Sequence, residues 1–220
     1  MLRPDKIIRS NRKTLSISVD VFGALIVRAP KRYADEKIFA FLREKEDWIL
    51  RKQAERKGAG IQLPTENLDG YGLMVLGRRY QIRLTQLDTI TFSDDGNCLL
   101  VPKKNAKARL VKWLKENALR IFTAATQKAA ETMATTYKSV SVSTAKSRWG
   151  SCTGDNKIRF SFRLLYAPKD VVEYVVYHEL AHTRHKNHSP LFWSEVQKYV
   201  PDYKQKRAWL KTHSALMEIF

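Results

Sequence analysis

Apolar and polar residues alternate along much of the first hundred residues, as they do in strands that bury one face. The stretch 15–19 alternates strictly, and a turn at 20–23 leads into a returning apolar stretch. From Asp35 to Lys57 apolar residues recur at helical spacing instead, and Gly58 and Gly60 mark the end of that helix. The pattern predicts a mostly antiparallel β part with one helix, whose strands are residues 15–19, 24–29, 73–76, 80–84, 89–92 and 98–101.

A long helical pattern begins at Ala106 and continues to about Tyr137. Strands are predicted at 140–144 and 157–165, and Pro168 suits the first turn of a following helix rich in valine. We therefore expect an α+β protein that divides near residue 103. Its parts are an N-terminal β-rich part, residues 1–102, and a second domain, residues 103–220.

Charge is strongly unbalanced in this chain of 220 residues, with a net charge of +18 and a pI of about 10.0. Residues 1–102 contribute +5 and residues 103–220 contribute +13. Such a surface attracts polyanions, among them nucleotides and nucleic acid, although a solvated basic surface that aids solubility explains the same numbers. Nucleic acid bound through this basic surface is one predicted partner.

Cys98 and Cys152 are the only cysteines, which is too few for a disulfide framework and favours a reducing compartment. The N-terminus lacks the apolar core of a signal peptide, and the longest apolar runs are too short to span a bilayer. The sequence therefore predicts a soluble cytoplasmic protein without a membrane span.

Candidate chemistry lies in the stretch His178-Glu179-Leu180-Ala181-His182, an H-E-x-x-H motif. Because a helix turns about 100° per residue, His178 and His182 lie ~40° apart on one face. Glu179 falls within about 100° of both histidines. Three protein ligands and one water are usual at catalytic zinc, and a neighbouring glutamate can take the proton of that water. We predict one Zn²⁺ ion with Glu179 as the general base, although such a site also accepts other divalent metals.

The third ligand has three candidates. In a continuous helix His185 would lie ~10 Å along the axis from His178, too far to share one ion with it. His188 follows a turn and precedes Ser189-Pro190, which is typical of a helix start, so we prefer it. Glu195 on the next helix is the less favoured substitute.

Several segments besides the H-E-x-x-H motif match one known family, and they are residues 12–17, 27–30, 147–152, 163–164, 174–182, 187–189 and 192–193. Through them the sequence closely resembles the YgjP-like metallopeptidase family, a group of predicted metal-dependent hydrolases related to SprT-like and other zincin peptidases. The resemblance covers nearly the whole chain. It implies a zincin-like domain, a zinc-dependent hydrolase with His178, His182 and His188 as ligands, and Glu179 as the catalytic acid–base.

The substrate stays open at this point. We expect cleavage of peptide or amide bonds by metal-activated water. One alternative is a metal-dependent nucleoside triphosphate (UTP) pyrophosphohydrolase, an annotation that some members of the family carry. Another is a nucleic-acid-associated protease of the SprT type.

Substrate contacts are assigned to Arg148, Trp149, Gly150 and Arg163. An extended peptide would pair along the strand that contains Trp149 and Gly150, where glycine permits a close approach. Trp149 is also consistent with a core position, and Cys152 is expected to be a small buried residue. Three further tryptophans are predicted in the core: Trp113, Trp193 and Trp209. The candidates for stabilising the oxyanion are Arg148, Arg163, Tyr174, Tyr177 and His185.

Overall fold

The computed structural model describes residues 2–20, 23–57 and 64–220. The chain forms two compact units, one of residues 1–62 with 212–215 and one of residues 63–211 with 216–220. The predicted end of a helix at Gly58 and Gly60 lies outside the described residues. The predicted division near residue 103 stays a prediction.

The first unit contains a three-stranded sheet made of β1 (Lys6–Ser10), β2 (Ser16–Val19) and β3 (Leu25–Pro30). β3 lies in the middle, parallel to β1 and antiparallel to β2. Its inward residues pack with those of two helices in one cluster: Leu25, Val27, Ala29, Ile38, Leu42 and Ile49.

Two helices, α1 (Asp35–Glu44) and α2 (Glu46–Lys57), occupy the stretch predicted as one. Lys45 separates them with φ −102° and ψ 13°, and its N–H bonds back to Arg43 and Phe41. The apolar pattern does not reveal this break. Leu42 and Ile49 are seven residues apart, two helical turns, and so keep the same face through it.

The second unit begins with a four-stranded sheet of β4 (Gly72–Val75), β5 (Arg78–Thr85), β6 (Thr91–Phe92) and β7 (Cys98–Pro102). The strand order is β4-β5-β7-β6, and only the β5–β7 pair of this sheet is parallel. Three of the five strand pairs among the described residues up to 102 are thus antiparallel.

A 28-residue helix, α3 (Ala106–Met133), precedes the second sheet of this unit. That sheet contains β8 (Ser139–Ser143), β9 (Gly150–Cys152) and β10 (Lys157–Ser161). β10 is central, parallel to β8 and antiparallel to β9, so β9 is an edge strand. Phe160 of β10 packs against Phe122 of α3 with ring centroids 5.3 Å apart, which joins the sheet to the helix.

The remaining elements are mostly helical: α4 (Lys169–Ala181), α5 (Pro190–Tyr199), α6 (Tyr203–Thr212) and two 3₁₀ helices at Phe162–Tyr166 and Ser214–Glu218. The predicted α+β class is confirmed. No helix of the described residues is both long and apolar enough to cross a membrane.

The first 3₁₀ helix replaces the second half of the strand predicted at 157–165. All five of its residues are buried, including Arg163, which is 2% exposed. Apolar residues buried on every side give no period-2 pattern, so the sequence did not mark the end of the strand.

Arg163 is a structural residue, and the prediction that it binds substrate does not fit its placement. Its Nε donates to the carbonyl of Ile219 (2.8 Å) and its Nη1 to that of Thr144 (2.9 Å). Nη2 donates to the carbonyl of Phe220, and the guanidinium lies over the Phe162 ring. With these donors engaged and the side chain buried, none faces a substrate.

We predict that Arg163→Met lowers the free energy of unfolding by about 3 kcal/mol, because three carbonyl acceptors lose a charged donor. Urea denaturation of the purified variant measures the loss. Arg159→Met is the matched control, since Arg159 is exposed on β10 and makes one long bond to Ser141. Equal stability of the two variants would contradict the assigned role.

Candidate metal centre

The helix α4 carries the first histidine of the motif, and the second histidine stands at its C-cap. Pro168 stands at its N-cap, and four valines bury its apolar side. His178 and Glu179 lie in the last turn. His182 caps the C-terminus with φ −67° and ψ −13°, so the helix ends there and does not continue to His185.

The chain reverses between His182 and α5. Asn187 Oδ1 accepts a bond from the Ser189 N–H (3.3 Å), and the Ser189 hydroxyl accepts one from the Phe192 N–H (3.4 Å). Pro190 occupies the first turn of α5. These are the helix-start signals that the sequence predicts, and they position His188 immediately before the cap.

Three imidazoles converge at this reversal. His178, His182 and His188 each offer one nitrogen, and the three atoms lie within 4.8 Å of one another. The Nε2 atoms of His178 and His188 are 3.1 Å apart. Three imidazole nitrogens at this separation can hold one metal ion.

The hydrogen bond of His182 fits a metal ligand. Its Nδ1 pairs with the carbonyl of His185 at 2.9 Å, so Nδ1 carries the proton and Nε2 is left as a lone-pair donor. His185 therefore supports the cluster through its backbone, while its imidazole stays outside the three-nitrogen group.

Glu195 also lies outside this group. Its carboxylate pairs with Arg184 Nη1 at 2.5 Å and with Lys198 Nζ at 2.8 Å. Arg184 also donates through Nη2 to the carbonyls of Met133 and Ala134, where α3 ends. One arginine in the reversal thus connects α3 with α5.

Partial burial favours the neutral form of His178 and His182. Burial, reinforced by the neighbouring His182 and His188, lowers the pKa of His178 to about 3. The Nδ1 atom of His178 is buried and makes no hydrogen bond to the described residues. Burial also lowers the pKa of His182. Neutral imidazole is the form that binds metals.

Aromatic rings form the wall of the cluster. Phe192 stacks on His182 with centroids 4.4 Å apart, and Tyr174 meets His178 edge-on at 5.8 Å. Trp193 stacks on His188 at 5.5 Å. Trp193 was predicted as a core residue, but it is only half-buried. Trp113 and Trp209 are likewise half-buried.

Glu179 follows His178 on α4 and packs against β9. Its side chain is packed so closely on Gly150 that a Cβ added at Gly150 would stand 2.5 Å from Oε1. Glu179 is 5% exposed, and this burial raises the pKa of its carboxyl to about 8 even though Arg148 lowers it. Glycine at position 150 is thus needed to seat the carboxylate beside the edge strand.

The other residues predicted for the site differ in their exposure and in their contacts. Arg148 is exposed and acts electrostatically on Glu179, while Trp149 is half-buried directly before β9. Tyr177 stacks on Tyr199 at 5.3 Å. Cys152 is half-buried, and burial raises the pKa of its thiol, which disfavours a nucleophilic thiolate.

One cation that the sequence analysis missed lies beside the cluster. The Arg207 guanidinium of α6 is 5.0 Å from the centre of the Trp193 ring. Burial raises the pKa of Tyr174 to about 12, and Arg207 opposes that rise. Only the long-range packing of α6 against α5 reveals this neighbour, because fourteen positions separate Arg207 from Trp193.

The model of the YgjP-like metallopeptidase domain family matches residues 13–213. The chain belongs to this family. Family membership makes it a metal-dependent hydrolase of the peptidase type, and it implies a metal ion and a peptide substrate.

Two of the solved structures that match the chain are metallopeptidase zymogens. The chain is 22% identical to abylysin of Pyrococcus abyssi, with 41% of this chain and 92% of that one covered and a TM-score of 0.39. For jannalysin of Methanocaldococcus jannaschii the values are 17% identity, 43% and 96% coverage, and a TM-score of 0.37. None of the curated proteins compared with the chain matches it.

We predict a pH-dependent stability of the metal-free protein that originates at Glu179. The carboxyl pKa is near 4.5 in an unfolded chain and about 8 in the folded one, so the folded state binds the proton more tightly. The contribution of the protonated Glu179 carboxyl to the free energy of unfolding is fully present below about pH 4.5 and is lost as the pH rises through about 8. Measured against Glu179→Gln at each pH, the wild type should lose on the order of a few kcal/mol across this window. A difference that does not change with pH would contradict the burial of an ionisable carboxyl.

Proposed function

We propose that the protein is a zinc-dependent peptidase in which His178, His182 and His188 hold one Zn²⁺ ion and Glu179 is the general acid–base. The convergence of three imidazole nitrogens beside a buried carboxylate is the observation that carries this proposal. The donor set supports zinc because neutral imidazoles suit it and three protein ligands leave one position for water or substrate. The set also accepts other divalent metals.

His178, His182 and His188 would hold the zinc ion, which would supply the Lewis acidity that polarises a peptide carbonyl and lowers the pKa of water. Glu179 takes a proton from the attacking water as the new C–O bond forms. It then delivers that proton to the amine nitrogen as the C–N bond breaks. Atoms and charge balance: one water is consumed, and a carboxyl and an amine are released.

The same carboxyl must be ionised to act as a base. Without metal its pKa is about 8, because burial disfavours the charge. A divalent cation nearby stabilises the carboxylate and lowers that pKa. Glu179 is then a base at neutral pH and, once protonated, an acid that stands in a dry environment.

The edge strand β9 is the proposed docking strand for the substrate. β10 occupies one side of β9, which leaves its other side available to an extended peptide. Gly150 belongs to this strand and contacts Glu179, so a paired peptide would pass beside the carboxylate. Trp149 and Arg148 would line its path.

The basic charge motivated a UTP pyrophosphohydrolase and a nucleic-acid-associated protease as alternatives. Family membership implies a peptide substrate and gives no support to nucleotide or nucleic acid partners. A peptidase is therefore the function that we propose, and the predicted cytoplasmic location stays a prediction.

Glu179→Gln should reduce cleavage of a disordered polypeptide by at least about 100-fold, because it removes the proton acceptor and keeps the shape of the side chain. Glu173→Gln is the matched control, since Glu173 is exposed on the same helix. Gel electrophoresis and mass spectrometry follow the products. Unchanged cleavage in Glu179→Gln would refute the assigned role.

His188→Ala should lose most of the bound metal, whereas His185→Ala should retain about one ion per chain, because only the first removes a nitrogen from the cluster. Elemental analysis after dialysis against a weak chelator measures the stoichiometry. Equal metal content in the two variants would overturn the choice of His188.

A further inference from the structure

Cations surround the three-histidine cluster. Arg207 lies over Trp193, the ring that stacks on His188. Arg207 is exposed. Its guanidinium therefore lies on the ring that stacks on His188 and remains open to a ligand.

Lys186 is the second cation and lies in the reversal between His182 and His188. Its Nζ donates to Asn156 Oδ1 at 2.5 Å and to the Thr153 carbonyl at 3.5 Å, beside the turn that joins β9 to β10. Both acceptors are uncharged, so they orient the ammonium group and leave its charge unneutralised.

Arg148 is the third cation, two residues before Gly150. Arg148 is exposed, and Gly150 is the residue on which the Glu179 side chain packs. The three cations thus occupy different places: Arg148 before the strand that contacts Glu179, Lys186 in the reversal, and Arg207 on the ring that stacks on His188.

No ion pair neutralises these groups within the described ranges 2–20, 23–57 and 64–220. Surface cations elsewhere in the same unit do have partners, such as Lys206 with Asp170 and Asp202 and Lys157 with Asp155. Glu179 is the acidic group whose charge is felt at Tyr174, the ring beside His178. The two positive charges of a bound divalent ion would more than offset the single negative charge of Glu179. The surroundings of the centre therefore carry excess positive charge, which attracts anionic ligands.

We infer that this site selects acidic peptides, whose carboxylates near the scissile bond are received by Arg207, Arg148 and Lys186. The inference rests on the proposed peptidase function and adds its substrate class. Arg207 is the cation best placed to bind a substrate carboxylate, because its planar guanidinium can form two parallel hydrogen bonds while its face stays on Trp193.

Peptide pairs that differ only in the residues flanking one cleavable bond test this inference. Wild-type protein with glutamate at those positions should show kcat/KM about tenfold above the glutamine peptide, with lysine lower still. The advantage should lie mostly in KM and shrink as salt is added. Equal values for glutamate and glutamine peptides would overturn the inference.

Arg207→Gln should reduce the glutamate preference to about threefold or less while leaving the bound metal unchanged. Lys204→Gln is the control, since Lys204 is exposed on the same helix, and it should keep the wild-type preference. An undiminished preference in Arg207→Gln would remove Arg207 from the account.

Binding to Glu179→Gln protein separates this inference from the proposed function, because it needs no turnover. Fluorescence titration should give tighter binding of the glutamate peptide than of the lysine peptide, and weaker discrimination in the double variant with Arg207→Gln.

Discrimination without cleavage by the wild type would refute the peptidase proposal and retain the acidic ligand class. Cleavage without discrimination between the two peptides would refute the acidic ligand class and retain the peptidase proposal. An RNA oligonucleotide that displaces the glutamate peptide at equal charge concentration would indicate general polyanion binding and contradict peptide selection.

Discussion

The candidate centre depends on the reversal of the chain after Ala181. A helix that continued would carry later histidines steadily away from His178 along its axis. Instead His182 ends α4, the carbonyl of His185 accepts a hydrogen bond from His182 Nδ1, and Asn187 and Ser189 start the next helix. The Nε2 of His188 is thereby returned to within 3.1 Å of the Nε2 of His178.

The surroundings of the reversal explain why it is held in one conformation. Arg184 connects the end of α3 with Glu195 on α5, and Lys186 connects the reversal with the β9–β10 turn. Such networks matter because three ligands must meet at one point, and small displacements weaken a metal site. The residues between the histidines thus have a positioning role although none of them belongs to the ligand set.

Charge is the second constraint on this region. Burial disfavours charge on His178 and on Glu179, and lowers the pKa of the first while raising the pKa of the second. A divalent cation changes the balance, since it binds neutral imidazoles and favours an ionised carboxylate. An ionised Glu179 carboxyl that would destabilise the metal-free protein is therefore stabilised when a metal ion is bound, and the neutral imidazoles are in the form that binds the ion.

Local signals in the sequence predicted the histidines and the glutamate of the candidate site. The surroundings of these residues depend on contacts between segments that are far apart in the sequence. The spacing of His178 and His182 and the helix start at Ser189-Pro190 were sufficient to favour His188 over His185. Arg163 was misjudged because a motif does not reveal burial, and its partners Ile219 and Phe220 lie more than fifty residues away. Arg207 and the outer face of Trp193 were missed for a similar reason, because the packing of α6 against α5 brings them together. The break at Lys45 escaped notice because the apolar period continues through it.

The central claim is that three imidazole nitrogens share one metal ion. X-ray absorption at the zinc edge of the reconstituted protein tests it most directly. The account predicts one zinc per chain with three imidazole nitrogens at about 2.0 Å and a further light ligand, and no sulfur in the coordination sphere. Two imidazoles only, or a sulfur at about 2.3 Å from a cysteine such as Cys152, would contradict it.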